Sequence, residues 1–201
     1  MTLLTIANNV AENVGLDKFD TVASNTSTTA QEMLTFINDT AEELVRRVDW
    51  GGLTSEQVLS GTGASVKYTL DASFSHLTEG ICVTSQGSNA RPLERAEWSN
   101  IAQTEGIPRY FLLEGSGISL FPYLANGQTA TVFYQNINHV GGSKPAFDND
   151  SDASLIPEDL IEKGAIYRWR RQKGLHYSNY FDEYQDAIND YAQFDDRVDR
   201  S

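Results

Sequence analysis

Apolar positions along this chain change period twice. Leu3, Ile6, Ala7, Val10 and Val14 recur at helical spacing and stop at Gly15. After a polar stretch from Asp17 to Ser27, Met33, Ile37, Ala41, Leu44 and Val48 make a second helical stripe that Trp50-Gly51-Gly52 ends. Thr28-Thr29-Ala30-Gln31 suits a capping box at its start, with Thr28 accepting backbone N–H groups and Gln31 reaching back. From residue 53 the period shortens. Val66, Tyr68 and Leu70 alternate with Lys67 and Thr69, as in a half-buried strand. Ile81-Cys82-Val83 and Leu93 to Ile101 are further strand candidates. Tyr110 to Leu113, Ile118 to Phe121 and Thr129 to Tyr134 read as a meander, with turns at Glu114-Gly115-Ser116-Gly117 and Asn126-Gly127.

Helical spacing then returns. Pro157 suits a first helical position, and Gly174 suits a left-handed turn between two helices. The first helix carries Tyr167 and Trp169. The second places Tyr177, Tyr180, Phe181, Tyr184, Ile188 and Tyr191 on one side. The expected fold class is therefore α+β. N-terminal helices (1–52) and a C-terminal helical pair (148–194) form one bundle, a small antiparallel β domain, sheet or barrel (53–147), is inserted between them, and 195–201 is a flexible tail.

Composition narrows the function. A net charge of -13 over 201 residues argues against a protein that grips nucleic-acid backbones, while an acidic lining around a nucleic-acid conduit stays compatible. The single cysteine, Cys82, rules out an internal disulfide and a multi-cysteine zinc site, and its apolar run predicts a buried, inert thiol. No apolar run is long enough to span a membrane. The start, Met1 to Ile6, reads as no signal peptide, so a reducing cytoplasm is expected and the sequons at Asn25 and Asn38 are read as chance matches.

Candidate chemistry is sparse. Asp148-Asn149-Asp150-Ser151-Asp152 resembles the start of a calcium loop, with Asp159 at the twelfth position. Ala153 stands where that loop needs glycine and Pro157 interrupts it, so an acidic solvated loop is expected. His76, His139 and His176 lie in three segments without metal-ligand spacing. Glu94 and Glu97 are the carboxylate pair a peptidoglycan hydrolase would use, but strand alternation would put them on opposite faces. Gly61-Thr62-Gly63 and Gly115-Ser116-Gly117 lack the lysine of a phosphate cradle and read as turns. Arg168, Arg170, Arg171 and Lys173 form the only basic cluster, in a helix's last turns, where cations complement the dipole or meet an acidic partner. No catalytic residue, metal or cofactor is assigned.

The order of blocks resembles the head-to-tail adaptor (connector) proteins of tailed bacteriophages. The likeness rests on the Trp50-Gly51-Gly52 turn, Pro108 to Leu112, Ile118-Ser119-Leu120-Phe121-Pro122, a strand ending in Phe133-Tyr134, and Ile156-Pro157-Glu158-Asp159 to Gly164-Ala165 before an aromatic helix. It implies a non-enzymatic virion protein, assembled in the host cytoplasm as a homo-oligomeric ring, commonly a dodecamer. Such a ring docks on the portal protein, extends the DNA channel without sequence-specific binding, and meets a tail or stopper protein; a stopper or tail-completion protein is the nearest alternative. By resemblance, the closing helices and the tail after Tyr191 carry the portal contacts. The residues expected there are Trp169, Arg168, Arg170, Arg171, Tyr177, Tyr180, Tyr184, Tyr191 and Phe194.

Overall fold

Backbone satisfaction and apolar burial sort the chain into alternating blocks of helix and strand. In a computed structural model that describes residues 1–198, and side chains through Ala192, the chain begins with α1 (Leu3–Val14) and α2 (Thr28–Arg47). A 3-10 turn (Gly51–Leu53) leads into β1 (Thr54–Ser60), β2 (Lys67–Thr69), β3 (Phe74–Leu77), β4 (Val83–Ser85), β5 (Ser88–Asn89) and β6 (Arg91–Pro92). A single turn, α3 (Arg95–Trp98), precedes β7 (Tyr110–Glu114), β8 (Gly117–Phe121) and β9 (Thr129–Asn136). The closing pair is α4 (Glu158–Gln172) and α5 (Ser178–Val198). The fold is α+β, with helices at both ends and the β region inserted. It divides into a helical unit, Met1–Leu53 with Ile137 onward, and a β unit, Thr54–Asn136. Among the described residues no helix is long and apolar enough to cross a membrane.

The helical unit is organised around α4, which packs against α1, α2 and α5. Leu160, Ile161, Gly164, Ala165, Tyr167 and Trp169 are all buried, so this helix is apolar on nearly every side, as a central helix must be. Leu3, Ile6 and Val10 of α1, Met33, Ile37 and Leu44 of α2, and Tyr184 and Ile188 of α5 close around it. Gly164 sets the closest approach. A β-carbon there would stand 2.3 Å from Thr40 Cγ2 and 3.0 Å from Tyr184 Cε2.

Two local details differ from the sequence reading. Ser27, not Thr28, caps α2, its hydroxyl accepting from Ala30 N, while the Gln31 side chain donates back to the Asn25 carbonyl. Pro157 is the cap of α4 rather than its first helical residue. The segment from Ile137, expected within the β domain as far as 147, belongs to the helical unit, where Val140 and Phe147 are core residues. The expected tail, 195–201, overlaps the end of α5 and otherwise lies outside the described residues.

The acidic stretch is solvated at Asp148, Asn149 and Ser151, as expected, but Asp150 and Asp152 make it a structural clasp as well. Asp152 is buried and accepts from the Asp148 and Asn149 N–H groups, both at 3.0 Å, and from Lys144 Nζ at 2.8 Å. Asp150 accepts from the Thr21 hydroxyl and from the Val22 and Ala23 N–H groups at 2.9 Å, fastening the α1–α2 connection. Burial alone would raise the Asp152 carboxyl, but the Lys144 and backbone hydrogen bonds outweigh it and hold the group at about 2.

In the β unit, one sheet runs β1-β9-β4-β5 with β3 also on β9, and the other runs β2-β8-β7-β6. Their core joins Leu59, Val83, Phe111, Ile118, Leu120, Leu124 and Val132, with Cys82 among them. Burial pushes the Cys82 thiol up, away from the reactive thiolate. The expected meander is half right. β7 and β8 are a hairpin, but β9 crosses to the other sheet and lies antiparallel to β1, Thr54 opposite Gln135 and Ser60 opposite Thr129. The Asn126-Gly127 turn makes that crossing against Gly61, where a β-carbon would fall 2.1 Å from the Ala125 carbonyl oxygen. The strand expected over Leu93 to Ile101 is instead the helical turn α3, in which Trp98 N donates to the Glu94 carbonyl at 2.9 Å. No residue of that turn is buried, so nothing enforces a strand's alternation there.

Gly164→Ala is expected to destabilise the protein by about 2 kcal/mol, because overpacking exceeds the roughly 1 kcal/mol that alanine gains in a helix. Thr40→Ser, which removes the opposing methyl, should recover part of that loss in a double-mutant cycle followed by thermal melting. A second expectation concerns His139, whose ring is buried against Phe147, with Nδ1 3.1 Å from the Ile137 carbonyl and Nε2 unpartnered. Burial lowers its proton affinity, more than the Ile137 carbonyl and Glu42 raise it. The fold therefore prefers the neutral ring, so its contribution is complete above the free-histidine value near 6.5 and declines as pH falls below it. Denaturant melts at pH 7.5 and 5 should show that decline, and His139→Gln should flatten it.

Candidate docking surface

The end of α4 turns sharply into α5, and this corner gathers most residues expected at a partner interface. Gly174 has φ 68°. Leu175 N donates to the Arg170 carbonyl at 2.9 Å and Gly174 N to the Arg171 carbonyl at 3.2 Å, the paired bonds of a Schellman cap. That cap fixes the angle at which Leu175, His176 and Tyr177 leave the helix. Tyr177 then precedes α5, and its ring stands 6.2 Å from that of Tyr167. Phe181 lies 5.1 Å from the same ring and Tyr184 stacks on it at 6.1 Å.

The aromatic stripe splits between core and surface. Tyr184 is fully buried, and Trp169 is buried edge-to-face against Phe36 at 6.3 Å. Both are held by their own chain. Tyr180 is half-buried beneath the Arg170 guanidinium, 4.3 Å from the ring centroid. Tyr191 is half-buried and donates to Asp159 Oδ1 at 3.0 Å. The Phe194 side chain lies outside the described residues. Leu175, Tyr177 and Phe181 remain exposed at 46%, 41% and 38%. Leu175 is the member that periodicity misses, because it sits in the cap rather than on a helix face.

The cations around this patch are anchored. Arg168 Nη2 meets Glu43 Oε2 at 2.6 Å, and its other terminal nitrogen is buried without a hydrogen-bond partner. Burial would raise the Glu43 carboxyl, but Arg168 and Arg47 together hold it below its ordinary value. Arg170 Nε donates to the His176 carbonyl at 2.8 Å, and Arg171 Nη1 to the Tyr167 hydroxyl at 3.1 Å. Lys173 pairs with Glu32 at 2.7 Å and lies over Trp169. The result is a rigid apolar patch with arginines at its rim, the composition that protein interfaces favour.

Other candidate sites do not assemble. Glu94 and Glu97 are exposed at the α3 turn, so the strand argument against them gives way to their exposure, with no buried residue on that turn. Among the described residues no three His, Cys, Asp or Glu side chains are grouped to hold a metal ion.

Curated proteins offer no match to this chain. The model of the SU10 adaptor protein family matches residues 1–201, the helical and β units alike. With the whole chain covered, the protein belongs to the SU10 adaptor family, a family of phage head-to-tail adaptors.

Proposed function

We propose that this protein forms a homo-oligomeric ring, a dodecamer, directly below the portal of a tailed phage. The ring extends the DNA channel and offers a docking surface to the tail or a stopper protein. Its role is structural, within a virion assembled in the host cytoplasm, and DNA passes without sequence-specific contact. One observation carries the reading: Leu175, Tyr177 and Phe181 are exposed where α4 turns into α5, and the rings of Tyr177 and Phe181 are both braced on the buried Tyr167 ring. Exposed aromatics that are already ordered lose little side-chain freedom on binding. A surplus of acidic groups suits a conduit for DNA, since like charge prevents adhesion.

The portal is the partner assigned to this patch, with Arg170 and Arg171 at its rim. Tyr177→Ala with Phe181→Ala should leave the melting temperature within a few degrees of the parent, because both rings are surface residues. Loss of two anchors at about 2 kcal/mol each would weaken portal binding roughly a thousandfold. Surface plasmon resonance against purified portal rings reads this directly. Undiminished binding would remove the patch from the interface, and electron microscopy finding the protein away from the head–tail axis would sink the whole reading.

A further inference from the structure

A second surface lies on the outer face of the four-stranded sheet. Tyr110 of β7 stands opposite Phe121 of β8, their rings stacked 6.4 Å apart, and Trp98 of α3 meets Phe121 edge-on at 6.5 Å. Phe111, next to Tyr110, points into the core, so these three rings occupy the opposite face. Arg91 of β6 lies in register with Tyr110 and is exposed, with no hydrogen bond or ion pair to its side chain among the described residues. Lys67 of β2 lies over Gly117, where a β-carbon would fall 2.9 Å from its Cε. Lys67 and Arg95 share Glu114, at 3.7 and 3.2 Å, and both cations remain well exposed. Glu94 and Glu97 are exposed on the same short turn, so this face is an aromatic and cationic mosaic rather than a uniform basic field. That pattern fits a protein partner better than a nucleic-acid backbone.

The complementary surface is on α5. Asp182, Glu183, Asp186 and Asp190 are all exposed, and among the described residues none has an ion pair or side-chain hydrogen bond. At 100° per residue they fall within an arc of about 100°, and they extend about 12 Å along the helix. On the sheet, Lys67 and Arg91 sit on the two outer strands, three spacings or about 14 Å apart across the strands and two residues, about 7 Å, offset along them. The two arrays are comparable in length and oppose in charge.

The geometry points to a contact between copies of this chain, in which the outer sheet face of one subunit receives the acidic stripe of α5 from the next. The two surfaces differ, so the contact is heterologous, and repetition about an axis closes a ring. Tyr110, Phe121 and Trp98 supply its apolar centre; Arg91, Arg95 and Lys67 set its register. This inference rests on the ring reading above and adds the faces that build the ring.

Charge reversal tests it. One variant carries Arg91→Glu and Arg95→Glu; the other carries Asp186→Arg and Asp190→Arg. Each alone should lower the yield of tail-bearing particles by about tenfold or more in complementation of a phage lacking the protein. Co-expression should restore the yield to within about twofold, because alternating subunits regain opposed charges at every contact. Normal yield with either variant alone, or no rescue by the pair, overturns the assignment. Should a reversed chain fail to fold, Arg91→Cys and Asp186→Cys in a Cys82→Ser background, treated with a short bismaleimide in assembled particles, must give a ladder of covalent multimers. A ring seen by microscopy without that ladder rejects these faces and leaves the ring intact; particles without a ring reject the functional reading itself.

Discussion

The helical unit depends on one close approach, that of α4 to α2 and α5 at Gly164. No side chain stands between the α4 backbone and either Thr40 or Tyr184 there. Glycine is a poor residue for a helix interior, so its presence marks a place where proximity matters more than intrinsic helicity. The contact sets how deeply Tyr184 enters, and hence the stacking of Tyr184 on Tyr167. It also brings Trp169, five residues on, against Phe36. The Glu43–Arg168 pair joins the same two helices, α2 and α4, on a partly solvated side.

Surface properties follow from that packing. Tyr177 and Phe181 rest on the Tyr167 ring, which is itself stacked on Tyr184. Their outward edges stay exposed yet ordered, and the Schellman cap at Gly174 orients Leu175 beside them. The neighbouring cations act less as free charge than as props. Arg171 braces Tyr167, Arg170 braces Tyr180 and the His176 carbonyl, and Lys173 braces Trp169. A protein that joins two large bodies gains from such order, since little freedom is lost on docking.

The Asp148 to Asp152 clasp shows the same economy in an irregular segment. A loop without regular structure must still satisfy its backbone donors. Asp152 does this within the loop, and Asp150 does it for Val22 and Ala23, far away in sequence. Spacing of this kind resembles a calcium loop on paper, yet two of its carboxylates serve as acceptors for the chain itself. Periodicity could not reveal that, because the partners of Asp150 lie more than a hundred residues away.

What the sequence alone determined were the elements whose pattern is local. The stripes of α1 and α2, the aromatic periodicity of α5, the Gly174 turn and the β7–β8 hairpin were all legible, since each is specified by neighbours within one or two turns. β1 was not, because its burial alternates in the fold but Thr54 to Gln57 are all polar and Leu59 is its only buried residue, so no apolar alternation marks it in the sequence. The Leu93 to Ile101 segment was misread for a related reason: beyond Leu93, whose N–H still donates to the Phe111 carbonyl at 2.9 Å, the chain turns into α3, where no residue is buried to enforce an alternation. Tertiary structure alone decided that β9 leaves its hairpin neighbours for β1. It also decided that Trp169 and Tyr184 serve the core while Tyr177 and Phe181 serve the surface. One helical period in the sequence carries Tyr177, Phe181, Tyr184 and Ile188 alike, and only the point where α4 ends separates the covered rings from the open ones.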